Sequence, residues 1–237
     1  MNTAGGTGTV DVQLGINGGS FYVASGRILA INSKITELNV GSGFSKQGTS
    51  ILTLSGANSY TGGTTLSGGT LKLGGLSAVS DSGTFVFNGG TLDVNNLGQT
   101  VSGTYTEDIG ALSWTQNSVL VIGASSPDSI QAQIKFSGLG TLATGTTLTI
   151  NNWRGTPGTS GSDDQILFSV DPESLLSHLR FADFGNAIGQ KVDVGGGMWA
   201  VSPVPERTTI FAGCFLVALF GSSERRRLRA LFQKFAA

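Results

Sequence analysis

The chain is poor in the residues that do chemistry. Its 237 residues include one cysteine, Cys214, and one histidine, His178, and only 12% of the side chains are charged. A lone cysteine excludes an intrachain disulfide, so the fold must be held by packing alone. A lone histidine excludes a His-based metal cluster. It also leaves any Ser-His-Asp triad dependent on His178, near which no Gly-x-Ser-x-Gly motif stands. Asp163 and Asp164 adjoin, but their surroundings carry neither the EF-hand pattern nor the glycine-aspartate repeat of calcium β-rolls. Asp11, Asp93, Asp108 and Asp193 are scattered without a spacing that pairs carboxylates for glycoside hydrolysis. The glycine-rich stretches 5–8 and 195–197 do not lead into a Lys-Ser/Thr helix start, so they are not phosphate loops. The expectation is a non-enzymatic protein with no catalytic residue, no cofactor and no metal site.

A secretory leader is also lacking at the start: Met1, Asn2, Thr3, Ala4, Gly5 and Gly6 form neither a basic nor an apolar region. Three readings stay open: a C-terminal part of a longer protein, a start assigned too late, or a chain that never leaves the cytoplasm. Positive charge is missing from the body. Residues 1–204 carry eight basic and 13 acidic side chains, and residues 205–237 carry six basic and two acidic ones. An acidic body argues against a nucleic-acid partner.

What is abundant is glycine, 37 residues, about twice ordinary usage. A mean hydropathy of +0.14 is too apolar for a solvated coil. Ser67-Gly-Gly-Thr-Leu-Lys-Leu73 recurs 21 residues later as Asn88-Gly-Gly-Thr-Leu-Asp-Val94, with a third relative in Asn17-Gly-Gly-Ser-Phe-Tyr-Val23. In each copy a Gly-Gly turn opens a strand whose apolar residues fall two apart: Leu71/Leu73, Leu92/Val94 and Phe21/Val23. They share one face, and Lys72, Asp93 and Tyr22 take the other. Further short strands are expected at 27–31, 50–54, 64–67 and 84–87. None is long enough to bury a core alone, but stacked at a period of about 20 residues they form a solenoid.

Residues 118–203 are less regular and are expected to be a solenoid end or cap. A short helix is expected near 172–180, where Pro172 suits the first turn and Leu175, Leu176 and Leu179 share a face. His178 reads as a surface residue of that helix.

The C-terminal 34 residues differ in kind. Val204, Pro205 and Glu206 precede residues 208–223, which hold no ionisable side chain but Cys214. Arg225, Arg226, Arg227 and Arg229 follow. Sixteen helical residues span about 24 Å, short of a bilayer core of about 30 Å. The arginines would remain cytoplasmic by the positive-inside rule, placing the body across the membrane. Beyond them Leu228, Leu231, Phe232 and Phe235 have the spacing of an interfacial helix.

Two family resemblances rest on these segments. Residues 48–75 resemble the autotransporter-associated β-strand (passenger-associated) repeat, which implies an all-β, right-handed parallel β-helix of a surface or secreted protein. In it Asn58 and Tyr60 occupy a Gly-x-Asn-x-Tyr-Thr-Gly-Gly turn, where the asparagine is expected to stack or to bond backbone. Leu148 to Trp153, Asp164 to Phe168 and Leu179 to Phe181 resemble the segments that close such repeats ahead of a sorting tail. The tail resembles the PEP-CTERM signal of Gram-negative bacteria, with Arg207 where that family has a second proline. That resemblance implies the membrane as a partner through the C-terminal helix, an exosortase-type processing enzyme, and inner-membrane anchoring before release to the surface or medium. The expected organisation is thus 1–117 solenoid, 118–203 solenoid end and cap, and 204–237 sorting signal with a basic tail at 224–237. The function implied is cell-envelope or matrix structure or adhesion, with extracellular polysaccharide as a partner. The other function class left open is a carbohydrate-binding or polysaccharide-degrading β-helix.

Overall fold

The computed structural model describes residues 11–123, 130–160 and 164–205. The chain winds so that each turn contributes one strand to each of two parallel sheets. The first turn holds β1 (Val12–Leu14), β2 (Gly19–Tyr22) and β3 (Ile28–Ile31), and β4 (Ile35–Glu37) opens the second. The next turns each supply a pair: β5 (Phe44–Gln47) and β6 (Ile51–Leu54), β7 (Thr64–Leu66) and β8 (Thr70–Leu73), β9 (Phe85–Asn88) and β10 (Thr91–Asp93). They continue as β11 (Gly103–Gln116) and β12 (Ser118–Val121), β13 (Ile130–Leu142) and β14 (Leu148–Asn151), β15 (Gln165–Phe168) and β16 (Leu179–Phe181). An antiparallel hairpin, β17 (Gly189–Gly195) and β18 (Met198–Pro203), follows.

One sheet has seven strands in the order β16-β14-β12-β10-β8-β6-β3, all parallel, and the other has nine in the order β17-β18-β15-β13-β11-β9-β7-β5-β2. The first is therefore one strand per turn, and the second likewise until the hairpin. β1 and β4 pair on a third face. The structure is a parallel β-solenoid.

The register explains why such short strands suffice. Leu52, Leu71, Leu92, Leu120, Ile150 and Phe181 fall on successive strands at the same inward position of the seven-stranded sheet. All six are buried. Each such side chain contributes about 1.5–3 kcal/mol by leaving water, and it packs on its equivalents above and below rather than within its own turn. The outward neighbours Lys72 and Asp93 also meet across strands, at 3.9 Å.

Glycine sets the corners. Gly69 has φ +62°, and a Cβ there would stand 2.5 Å from the Ser50 carbonyl oxygen of the turn below. The Gly-Gly pairs at 68–69 and 89–90 occupy equivalent corners between the two sheets, as their spacing predicts. The copy at 17–23 does not. Its Gly19 pairs with Phe44 in the nine-stranded sheet, so this segment is equivalent to Gly63-Thr64 rather than to Gly69-Thr70. The same Gly-Gly-x-apolar pattern serves both corners, because both need a tight turn into an alternating strand.

The turns lengthen along the chain. Asn88 bonds Ser67 across 21 residues, Thr104 bonds Gln131 across 27, and Gln133 bonds Gln165 across 32. The growth is absorbed partly by β11 and β13, of 14 and 13 residues, which run from the third face into the nine-stranded sheet. Regular rungs thus persist to Phe181, well into the region that reads as irregular in sequence. The helix expected near 172–180 is a 3-10 turn, Glu173–His178, with Leu175 buried. His178 is half-buried rather than a free surface side chain. Its Nδ1–H donates to the Thr146 carbonyl at 2.8 Å, and its ring meets Trp114 edge-on.

Candidate functional site

The third face is where polar side chains gather. After β4, no regular ladder joins successive turns there until β11 and β13 pair along their first halves. Backbone groups between those points still need partners. Asn58 supplies several. Its backbone N–H donates to the Ser77 carbonyl at 2.8 Å, its Oδ1 accepts the Ile35 amide at 2.7 Å, and its Nδ2 donates to the Ala78 carbonyl at 2.6 Å. One asparagine joins three turns, in the backbone-bonding role expected for it.

Glu107 closes the next gap. Its Oε2 accepts the Ser77 amide at 2.6 Å, and its Oε1 accepts the amides of Ala78 at 2.8 Å and Val79 at 3.1 Å. Ser77 adopts φ +54°, which helps aim consecutive N–H groups at one carboxylate. Burial pushes the Glu107 carboxyl up to about 7, and the three donated hydrogen bonds oppose that rise. Tyr60 lies alongside, buried, with its hydroxyl 2.7 Å from Thr64 Oγ1, and burial raises its pKa to about 12. Asp164 acts in a similar way two turns further on, where its Oδ1 accepts the Ala132 amide at 2.9 Å.

Around Asn58, Tyr60 and Glu107 runs a cleft of about 210 Å³, lined among others by Ser59, Thr61, Ser80, Asp81, Thr106 and Asp108. Hydroxyls and carboxylates dominate it, and Asp108 pairs with Lys135 at its edge. The arrangement can offer hydrogen bonds to a neutral polar ligand. Among the described residues no group of three or more His, Cys, Asp or Glu is placed to hold a metal ion.

Lys46 is the second unexpected group. Register places it inward, between Phe21 and Leu66 in the nine-stranded sheet, and it is fully buried. Its Nζ donates to the carbonyls of Gln47 at 2.9 Å, Gly48 at 3.1 Å and Gly68 at 3.1 Å, and burial lowers its pKa. Neither Glu107 nor Lys46 stands out in sequence. For Lys46 one signal existed, its place two residues after Phe44 in an alternating strand.

Of the expected sorting residues, Val204 and Pro205 directly follow β18, whose Pro203 carbonyl accepts a hydrogen bond from Gln190 Nε2 at 2.7 Å. Glu206, the membrane segment 208–223, Arg225, Arg226, Arg227, Arg229 and the rest of the basic tail lie outside the described residues. Among the described ones, no helix is long and apolar enough to cross a membrane.

No curated protein and no solved structure matches the chain. One family model does, the passenger-associated-transport repeat, over residues 44–73. Those bounds run from the start of β5 to the end of β8, two successive turns of the solenoid. The matched segment is thus similar to a repeat associated with autotransporter passengers, and it sits in a β-rich parallel stack of the kind found in secreted or surface proteins.

Proposed function

We propose that this is a non-enzymatic bacterial envelope or extracellular protein whose solenoid serves matrix structure or adhesion. The tail beginning at Val204, Pro205 and Glu206 would deliver it. Residues 208–223 would enter the inner membrane, the cluster Arg225, Arg226, Arg227 and Arg229 would stop in the cytoplasm, and an exosortase-type enzyme would process the tail. The observation that carries this reading is the use made of the buried and half-buried polar groups: Asn58, Glu107, Asp164 and Lys46 all bond backbone of their own or adjacent turns. Their chemistry is spent on holding the stack together.

The test is mass-spectrometric mapping of both ends of the protein from its host, with membrane, surface and medium fractions kept apart. Loss of the residues beyond Glu206 from surface material is the expected result. An intact tail confined to the cytoplasm would refute delivery.

A second reading is favoured by the cleft beside Tyr60. Its row of hydroxyls and carboxylates suits a neutral polysaccharide, bound by hydrogen bonds rather than cleaved. Calorimetric titration with host exopolysaccharide, repeated on Thr106→Ala and Asp81→Ala, would show binding that weakens in both variants. Unchanged heats would remove this reading.

A further inference from the structure

We propose that the cleft beside Tyr60 is one end of a longer binding track, which holds an unbranched neutral polysaccharide along the solenoid axis. This rests on the second reading above, in which the cleft binds such a polymer, and extends it. Thr106 lines the cleft and also begins a row of polar side chains outside it. Its Oγ1 donates to Gln133 Oε1 at 2.8 Å, and Gln133 Nε2 donates to Gln165 Oε1 at 2.7 Å. Register places these residues on the successive strands β11, β13 and β15. Beside them Thr104 Oγ1 donates to Gln131 Oε1 at 2.5 Å. From Ser59 through Asp81 and Thr106 to Gln165 the path crosses five turns. At the usual strand spacing that is about 19 Å, several sugar rings long.

The row suits sugar hydroxyls. Gln133 spends its Oε1 on Thr106 and one N–H on Gln165, which leaves its second N–H without a partner among the described residues. The Thr106 oxygen donates once and keeps its lone pairs. Donor and acceptor thus lie one strand apart, and a hydroxyl group can use both. The bonds along the row hold these side chains in one geometry, so little rotamer freedom is lost when a ligand settles on them.

Charge selects among polymers. No basic side chain lines the cleft, where Asp81, Glu107 and Asp108 stand, and Lys135 at its edge is paired with Asp108. An acidic polysaccharide would meet carboxylates there. Tyr60 is the one aromatic residue of the cleft lining and is buried, so it offers no ring for stacking. Hydrogen bonds exchanged against water contribute little each. Affinity must then accumulate over many sugar units, which a track supplies and a cleft alone does not.

The neutral exopolysaccharide of the host, cut by mild acid and sorted by size, provides short fragments no longer than the cleft and long ones that span the track. In calorimetric titration of the full chain in mild detergent, the long fragments should bind about tenfold tighter, the worth of one or two added hydrogen bonds. A long chain also offers more registers, so the selective effect of variants is the deciding readout. Gln133→Ala and Gln165→Ala should each weaken the long fragments several-fold and leave the short ones unchanged, whereas Thr106→Ala should weaken both. Thr149→Ala, on the seven-stranded sheet, should change neither. If Gln133→Ala fails to fold by circular dichroism, Gln165→Ala decides alone. Equal binding of short and long fragments, or glutamine variants without a selective effect on the long ones, would overturn the track and leave the cleft reading standing. Failure of every fragment to bind would remove both.

Discussion

Glu107 and Ala78 lie 29 residues apart in the chain, yet the Glu107 Oε1 accepts the Ala78 amide at 2.8 Å inside the solenoid wall. This bond and its two neighbours replace the ladder that the third face lacks between these turns. Glu107→Gln would turn an amide group toward one of the three donors and leave that buried N–H unpaired. The expected loss is about 1–3 kcal/mol in chemical denaturation. Glu107→Ala should cost more, since all three donors lose their acceptor.

The same carboxyl predicts a pH dependence. Its pKa is raised from 4.5 to about 7, chiefly by burial. The folded state therefore holds a proton that the unfolded state has released between those values. Stability from this group is complete below pH 4.5 and is lost as pH rises toward 7, with a steepest slope of about 1.4 kcal/mol per unit. Denaturation midpoints measured across pH 4 to 8 should show the decline in the wild type and a flatter profile in Glu107→Gln.

Asn58 offers a test by charge. Its Nδ2 donates to the Ala78 carbonyl at 2.6 Å. Asn58→Asp would set a carboxylate against that carbonyl while keeping the acceptor for Ile35. The aspartate variant should be at least as unstable as Asn58→Ala, and acid should recover part of its loss. An aspartate variant as stable as wild type would contradict the assigned amide orientation.

Lys46 titrates in the alkaline range. Burial lowers its pKa below 10.5, so in the window between the two values the unfolded state binds more protons and stability rises with pH. Tyr60 works the other way. Its pKa is raised to about 12, so stability from it falls as pH climbs from 10. Thermal melts at pH 9 to 11 should show a steeper alkaline loss in Lys46→Met than in wild type. The loss should be shallower in Tyr60→Phe.

The corners and the column can be probed together. Gly69→Ala drives a Cβ against the Ser50 carbonyl, whereas Gly145, also at positive φ, has open space around it. The first substitution should be destabilising by several kcal/mol, and the second by about 1 kcal/mol. Leu52→Ala, deep in the column, should cost about 2–5 kcal/mol. Leu29→Ala should cost less, because Leu29 is only partly removed from water.

Much of the local structure was legible before any fold was known. The strands beginning near Ile28, Ile51, Thr64, Thr70 and Phe85 follow from alternation and from the glycines that precede several of them. Lys72 and Asp93 emerge on the face opposite Leu71 and Leu92, as period two requires. The sheet assignment of the copy at 17–23 was not legible, because both corners use the same glycine pattern.

Glu107 was not legible either. A carboxylate that accepts three amides from a neighbouring turn looks, along the chain, like any acid beside Asp108. The distance to its partners depends on how long each turn is, and the turns are unequal. Composition and periodicity alone therefore determined that this chain forms short stacked strands with little catalytic equipment, since both follow from residue type and local spacing. Only the tertiary winding decided which residues stack, because register sums the lengths of all intervening turns. That winding set Lys46 inside the wall and Glu107 under Ser77.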